Sequence, residues 1–337
     1  MAKNKVYINS VSHISAQQPL SDSWLDSPVV LDGQFFYATD PDYKGYISPA
    51  MARRLTPILK RALVTASEAM KCLPEEEQAQ AIITGTGLGS MASTDKIINA
   101  MMAEGENFSQ PTHFMQSTHN SMGSTVAIAR HCHAYNATYS QNGVSAECAF
   151  LDAFLQMNLG HIANALVCAH DELSPRWSRL QPGNSPSYTP PQVPFSEASA
   201  AFLLSTKRDN ALCEIVDLNV CYGQSFETML ANLAAQNDIS TIDALMLSCT
   251  GENDYDSHYA TLVGSLGDVP VLHYKHLFGE SLSSSAMGIY TSALCLDRGE
   301  APAILSRHPS SISVPVKTIL FANYDRLNCS LMLIKSC

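Results

Sequence analysis

Short apolar runs rich in β-branched residues alternate with stretches of helical periodicity along nearly the whole chain. No other feature constrains the fold as strongly, because strands that are apolar on both faces need helices on both sides of their sheet. Strands are expected at 5–13, 80–84, 136–141, 163–169, 200–206, 213–222, 244–249, 269–274, 302–306, 317–322 and 329–335. Helices are expected near 49–71, 93–104, 119–132, 144–159, 227–236, 257–265 and 282–297. The predicted class is α/β.

The first helical stretch carries two start signals. Ser48 precedes Pro49 and Thr56 precedes Pro57, each a capping residue followed by a proline at the first helical position, so a short turn leads into a second helix. Leu59, Ala62, Leu63, Ala66, Ala69 and Met70 then form one apolar face. Arg53, Arg54, Lys60 and Arg61 make the dense basic cluster of this chain. Between 175 and 194 stand Pro175, Pro182, Pro186, Pro190, Pro191 and Pro194, which exclude a helix or an interior strand there. A loop of this length in a globular fold is functional or part of an interface. Strand–helix alternation on both sides of it suggests two duplicated lobes, 1–207 (containing the proline-rich loop 174–195) and 208–337.

Composition narrows the function classes. Apolar residues make up 46 % of 337, enough for a large core and too many for intrinsic disorder. Twenty Lys and Arg against 31 Asp and Glu give a net charge of −11, so the basic surplus of a nucleic-acid binder is missing. Charged residues are only 15 %, below the roughly 25 % of an average soluble protein, which points to a sizeable protein–protein interface. No membrane span is expected, since no run of about 18 apolar residues occurs. The opening MAKNKVYINSVSH has no apolar core and does not read as a signal peptide. Ten cysteines without a secretory signal read as the reduced thiols of a cytoplasmic protein. There is no C-x-x-C pair, and adjacent side chains in His131-Cys132-His133 diverge, so no metal and no cofactor are expected.

Three local motifs admit a chemical reading. Gly85-Thr86-Gly87-Leu88-Gly89-Ser90 follows a strand and precedes a helix, but Ser90 replaces the third glycine of a dinucleotide turn and no acidic residue ends a second strand at the right distance. A tight strand-to-helix turn is the better reading. Gly143-Val144-Ser145-Ala146-Glu147 approximates a nucleophile elbow, with Glu147 in place of the second glycine. A triad there would draw on His258 or His273. Cys148, Cys168 and Cys249 lie in apolar segments as small core residues, and Cys148 sits a turn past the helix start where a thiolate would be stabilised.

From about residue 45 onward the chain resembles a β-ketoacyl synthase. The Arg-Arg helix at 49–71, GTGLGS, NATYSQNG with its following helix, HIANALVCAHDE, PFSEASAAFLL and YKHLFGESLSSSAMG resemble that family's segments in order and spacing. The resemblance implies a thiolase-like five-layer αβαβα fold made of two duplicated lobes. It also implies a cysteine nucleophile at a helix start, two histidines that polarise a thioester, and a glycine-rich oxyanion loop. By this resemblance Gly143 stands at the cysteine position and Thr250 and Glu280 at the two histidine positions, while Lys275 is retained. NYDRLN replaces the glycine-rich stretch and keeps only Asn328.

That pattern of losses resembles a chain-length-factor-type subunit, and FMQSTHNSMGS resembles the compact ketosynthase-like proteins of aryl-polyene and flexirubin pathways. The resemblance then implies pairing with an active ketosynthase, or with a second copy, across the strand NATYSQ. It further implies docking of acyl carrier protein on Arg53 and Arg54, and an acyl tunnel bordered by Met122 and Phe150 whose bulk sets chain length. Two other readings stand beside it. One is an active acyltransferase or condensing enzyme with a relocated nucleophile such as Ser145 or Cys148. The other is a homodimeric binding protein for acyl chains or carrier protein.

Overall fold

The computed structural model describes residues 4–74, 77–105, 111–174, 193–249, 253–306 and 313–337. Its strands begin with β1 (Val6–Ile14), β2 (Phe35–Phe36), β3 (Ala81–Gly85), β4 (Tyr135–Tyr139), β5 (Asn164–Asp171), β6 (Phe195–Ser196) and β7 (Ala198–Ser205). They continue with β8 (Cys213–Tyr222), β9 (Ala244–Leu247), β10 (Val271–His273), β11 (Glu300–Ala301), β12 (Val314–Pro315), β13 (Thr318–Asp325) and β14 (Asn328–Ser336). The helices among the described residues include α1 (Pro49–Ala52), α2 (Pro57–Ala69), α3 (Met91–Glu104), α4 (Pro111–Ser117), α5 (Ser121–Ala129) and α6 (Ser145–Asn158). After them come α7 (Phe226–Ala234), α8 (Asn253–Leu266), α9 (Lys275–Phe278) and α10 (Ser285–Arg298).

The main sheet runs β10-β9-β13-β14-β8-β1-β7-β5-β3-β4. Each half takes its own five strands in the same order from the outside in: third, second, fourth, fifth, first. The outer three strands of each half are parallel and the inner two antiparallel. One five-stranded unit therefore occurs twice. The halves meet through a three-pair antiparallel ladder, Val6–Ile8 against Ile215–Cys213.

Burial on both faces explains why these strands are apolar throughout. β3, β5, β7 and β9 are buried at every position. A central cluster joins α6 and α10 to both halves, with Phe150, Phe202, Met287 and Phe321 among its members. A second cluster lies under α2 and α5, and a third under α7 and α8. The layers are thus outer helices, half-sheet, central helices, half-sheet and outer helices.

The local signals at 48–57 act as expected: Ser48 Oγ accepts the Met51 N–H at 3.3 Å, and α2 begins at Pro57. Arg61 is not part of a basic surface. It is buried between Asp40 (2.6 Å) and Glu197 (2.9 Å). The expected strand at 302–306 is instead a 3₁₀ turn, Ala303–Leu305, behind Pro302. Pro302 has no N–H to give a ladder, and the pairing nearby falls to Glu300–Ala301. Helix α4, opened by Pro111, was not anticipated from the sequence. Most of the proline-rich loop, 175–192, lies outside the described residues. Its end packs against the second half of the sheet: Ser196 N–H donates to Glu280 O and Glu280 N–H to Pro194 O, both at 2.7 Å. Gly279 makes this approach possible, since φ is +79° and a Cβ there would lie 2.5 Å from Ser196 Cβ.

Candidate functional site

β4 ends at Tyr139, and the chain turns through a 3₁₀ segment, Asn142–Val144, into α6. Asn142 takes φ +50°, a left-handed conformation that asparagine tolerates, and this turns the backbone toward the second half of the sheet. Ser145 is consumed by the turn. Its Oγ donates to Asn142 O at 2.6 Å and accepts the Gln141 N–H at 2.8 Å. Gly143 follows Asn142 and faces the end of β13. Its N–H donates to Asp325 Oδ2 at 2.8 Å, and its carbonyl accepts from Asn323 Nδ2 at 2.8 Å.

A cleft of about 180 Å³ opens in front of this turn. Gly143, Asn323, Tyr324 and Asp325 form one wall; Lys275, Glu280, Ser281, Leu282 and Ser284 form the other, with Ser248 and Phe195 completing it. Lys275, buried, forms an ion pair with Glu280, whose other oxygen accepts from Ser284 Oγ at 3.1 Å. Ser248 Oγ is bonded to the Tyr274 hydroxyl at 2.7 Å. No cysteine and no histidine lines the cleft among the described residues.

Beneath the turn lies Glu147, fully buried. Ser285 Oγ (2.8 Å), Asn323 Nδ2 (2.6 Å) and Ser330 Oγ (2.9 Å) all donate to its carboxyl. Burial pushes this carboxyl above the usual range, while the three donors pull it back. Cys148, the next residue, is pushed up to about 12 by burial and by Glu147, the opposite of what a thiolate nucleophile requires. His258 stacks on Tyr324 with ring centroids 3.9 Å apart, and His273 meets Cys249 Sγ at 3.3 Å. Neither histidine is a partner of Ser145, so among the described residues neither supplies a triad to the elbow.

The model of the beta-ketoacyl synthase N-terminal domain matches residues 35–245, more than half of the chain. The chain belongs to the beta-ketoacyl synthase family. No curated protein matches its sequence. Among solved structures, the ishigamide ketosynthase/chain length factor superposes with a TM-score of 0.80 at 14 % identity, over 100 % of both chains. A beta-ketoacyl synthase from Burkholderia phymatum gives 0.80 at 13 % identity, again over 100 % of both chains. A type II polyketide synthase acyl-carrier protein in complex with its ketosynthase bound to the hexaketide gives 0.78 at 15 %, covering 99 % of this chain and 100 % of that one. These structures share the thiolase-like fold of two duplicated lobes.

Within this ketosynthase-family fold, Gly143, Lys275 and Glu280 come together at the cleft. Asn328 stands behind its wall, with Nδ2 3.4 Å from Asp325 O. Thr250 lies outside the described residues. Met122 and Phe150 are fully buried in separate clusters, the first under α5 and the second against Phe202, and neither lines the cleft. Arg53 and Arg54 are exposed beyond α1, and Gln116 Nε2 donates to Arg54 O at 2.7 Å.

Sequence reasoning missed Asp325, the side chain that a Cβ on Gly143 would meet first. The only available signal was an acidic residue inside NYDRLN. It also treated Glu147 as a missing glycine, when this residue is the centre of a buried network. The GTGLGS turn is a strand-to-helix turn, as expected. Buried Asp171 accepts from Thr86 Oγ1 at 2.9 Å and from the Leu88 N–H at 2.8 Å, occupying the turn from within the protein.

Proposed function

We propose that the chain is a catalytically degenerate ketosynthase-like subunit that pairs with an active ketosynthase in fatty-acid- or polyketide-type biosynthesis, of the kind that makes aryl polyenes. The supporting observation is the cleft. Its lining includes a glycine at the head of α6, an ion-paired glutamate and a lysine, but no thiol and no imidazole among the described residues. Condensation by this family's chemistry needs a thiolate to accept the acyl group and hydrogen-bond donors for the developing oxyanion. Neither Ser145, held by its turn, nor Cys148, with its raised pKa, favours a relocated nucleophile.

Pairing is supported by β4, an edge strand whose outer side has no partner strand among the described residues. Carrier-protein docking on exposed Arg53 and Arg54 belongs to the same reading. The test is intact-protein mass after incubation with acyl-loaded carrier protein, with and without a ketosynthase from the same gene neighbourhood. No adduct is expected on this chain and one acyl group is expected on the partner. Replacing both arginines by glutamate should slow loading of the partner in the complex. A stoichiometric acyl adduct on this chain would overturn the noncatalytic reading.

A further inference from the structure

We infer that Asp325 occludes the head of α6, so that replacing Gly143 by cysteine cannot by itself create a reactive thiol in this cleft. The inference deepens the proposed reading, since it takes the head of α6 as the place where a relative's nucleophile would stand.

Three observations carry it. First, the Gly143 N–H is already donated to Asp325 Oδ2 at 2.8 Å. Second, a Cβ on Gly143 would lie 2.8 Å from Asp325 Cβ, 2.9 Å from its Cγ and 3.1 Å from its Oδ2. Rotation about χ1 moves the carboxylate but not Cβ, whose position is fixed by the backbone. That backbone is held on both sides. Asp325 pairs with Asn328 across the β13–β14 turn, and neighbouring Asn323 binds the Gly143 carbonyl at 2.8 Å. Third, the N–H of Tyr324, on the same wall, is donated to the Tyr259 hydroxyl at 2.8 Å. An acyl carbonyl entering here would therefore find both of these backbone donors engaged, whereas oxyanion stabilisation needs donors preorganised and free.

A carboxylate beside the helix start also opposes a thiolate directly. The helix N-terminus favours negative charge, but Asp325 already supplies that charge, and a second anion a few ångströms away is disfavoured. Occlusion thus acts in two ways, by volume and by charge, and removing Asp325 relieves both.

The test compares Gly143→Cys, Asp325→Gly and the double variant. Each is alkylated with iodoacetamide near neutral pH, a sulfur–carbon bond forming as iodide leaves. Modification of the introduced thiol is followed by peptide mass mapping, with exposed Cys72 and Cys337 as internal references. That thiol is expected to react at least about ten-fold faster in the double variant than in Gly143→Cys alone. Equal rates in the two backgrounds would overturn the inference. If Gly143→Cys does not fold, Gly143→Ala gives the same information through melting temperature. It should cost several degrees beside Asp325 and close to nothing beside Asp325→Gly, and equal losses in both backgrounds would likewise sink the idea. An acyl adduct on the unmodified chain, which would remove the noncatalytic reading, leaves this coupling intact, so the two can fail separately.

Discussion

Glu147 is an ionisable residue placed where an apolar one would normally sit. Burial disfavours its charge, and three side-chain donors from α10, β13 and β14 compensate. Two of those three, Asn323 and Ser330, reach one oxygen, and Ser285 reaches the other, so a carboxamide can keep the arrangement if the Ser285 hydroxyl turns to accept. Glu147→Gln is therefore expected to change stability by less than about 1 kcal/mol. Glu147→Ala removes the acceptor from three buried donors and leaves a void, and should cost about 2–4 kcal/mol. Urea unfolding of both variants decides the matter. A Gln variant as damaged as the Ala variant would mean that the negative charge itself holds the two halves together. The same residue marks a limit of sequence reading. Asp325 and Glu147 lie far apart in sequence yet are linked in one chain of hydrogen bonds, in which Asn323 binds Glu147 and the Gly143 carbonyl and the Gly143 N–H binds Asp325, and no local pattern announces that meeting.

At the scale of elements, Glu172 fastens the start of α3 to the end of β5. It accepts the Ala92 N–H at 2.7 Å and lies among Asp171, Glu197 and Arg61. Burial is the main cause that raises it, to about 7 from 4.5, with the two carboxylates adding and Arg61 opposing. Below about pH 4.5 the residue is protonated in both the folded and the unfolded chain and adds no penalty. Between 4.5 and 7 the folded state keeps a proton that the unfolded chain releases, so this residue's contribution falls as pH rises, and above 7 the full penalty stands. Glu172→Gln should therefore match the parent near pH 4.5 and exceed it by up to about 3 kcal/mol above pH 7. Denaturation at several pH values gives the difference, and a gap that does not grow with pH would refute the assignment. Elements themselves were largely legible from sequence. Strands buried on both faces, such as β3 and β5, leave an unbroken apolar run, and the Thr56–Pro57 signal locates the start of α2. The segment 302–306 misled because its apolar run begins with a proline whose missing N–H favours the turn. Helix α4 escaped because its surface is polar and apolar by turns, with Phe114 and Met115 both exposed.

On the scale of the whole molecule, the duplicated halves explain which parts of the site could be read in advance. Gly143, Lys275 and Glu280 each belong to a recognisable segment, so their arrival at one cleft follows from the fold. Asp325 does not, because its effect depends on how closely β13 approaches the turn before α6, a distance set by packing between halves. The same architecture leaves β4 as an unpaired edge among the described residues, and α5 and α6 pack on its two faces. Ile128, on the α5 helix that packs on β4, remains 73 % exposed. Apolar side chains that stay in water beside an open strand edge gain most from a partner strand laid against it, and contribute little to the chain alone. Ile128→Asp is accordingly expected to leave the melting temperature of the isolated chain within about 2 °C, as surface changes do. The same change should weaken association with the proposed partner ketosynthase at least about ten-fold, since a charge buried at an interface without a counterpart opposes it. Co-purification and sedimentation of the mixed subunits provide the measurement. Undiminished association in this variant would place the interface elsewhere on the molecule, and would remove β4 from the pairing proposed above.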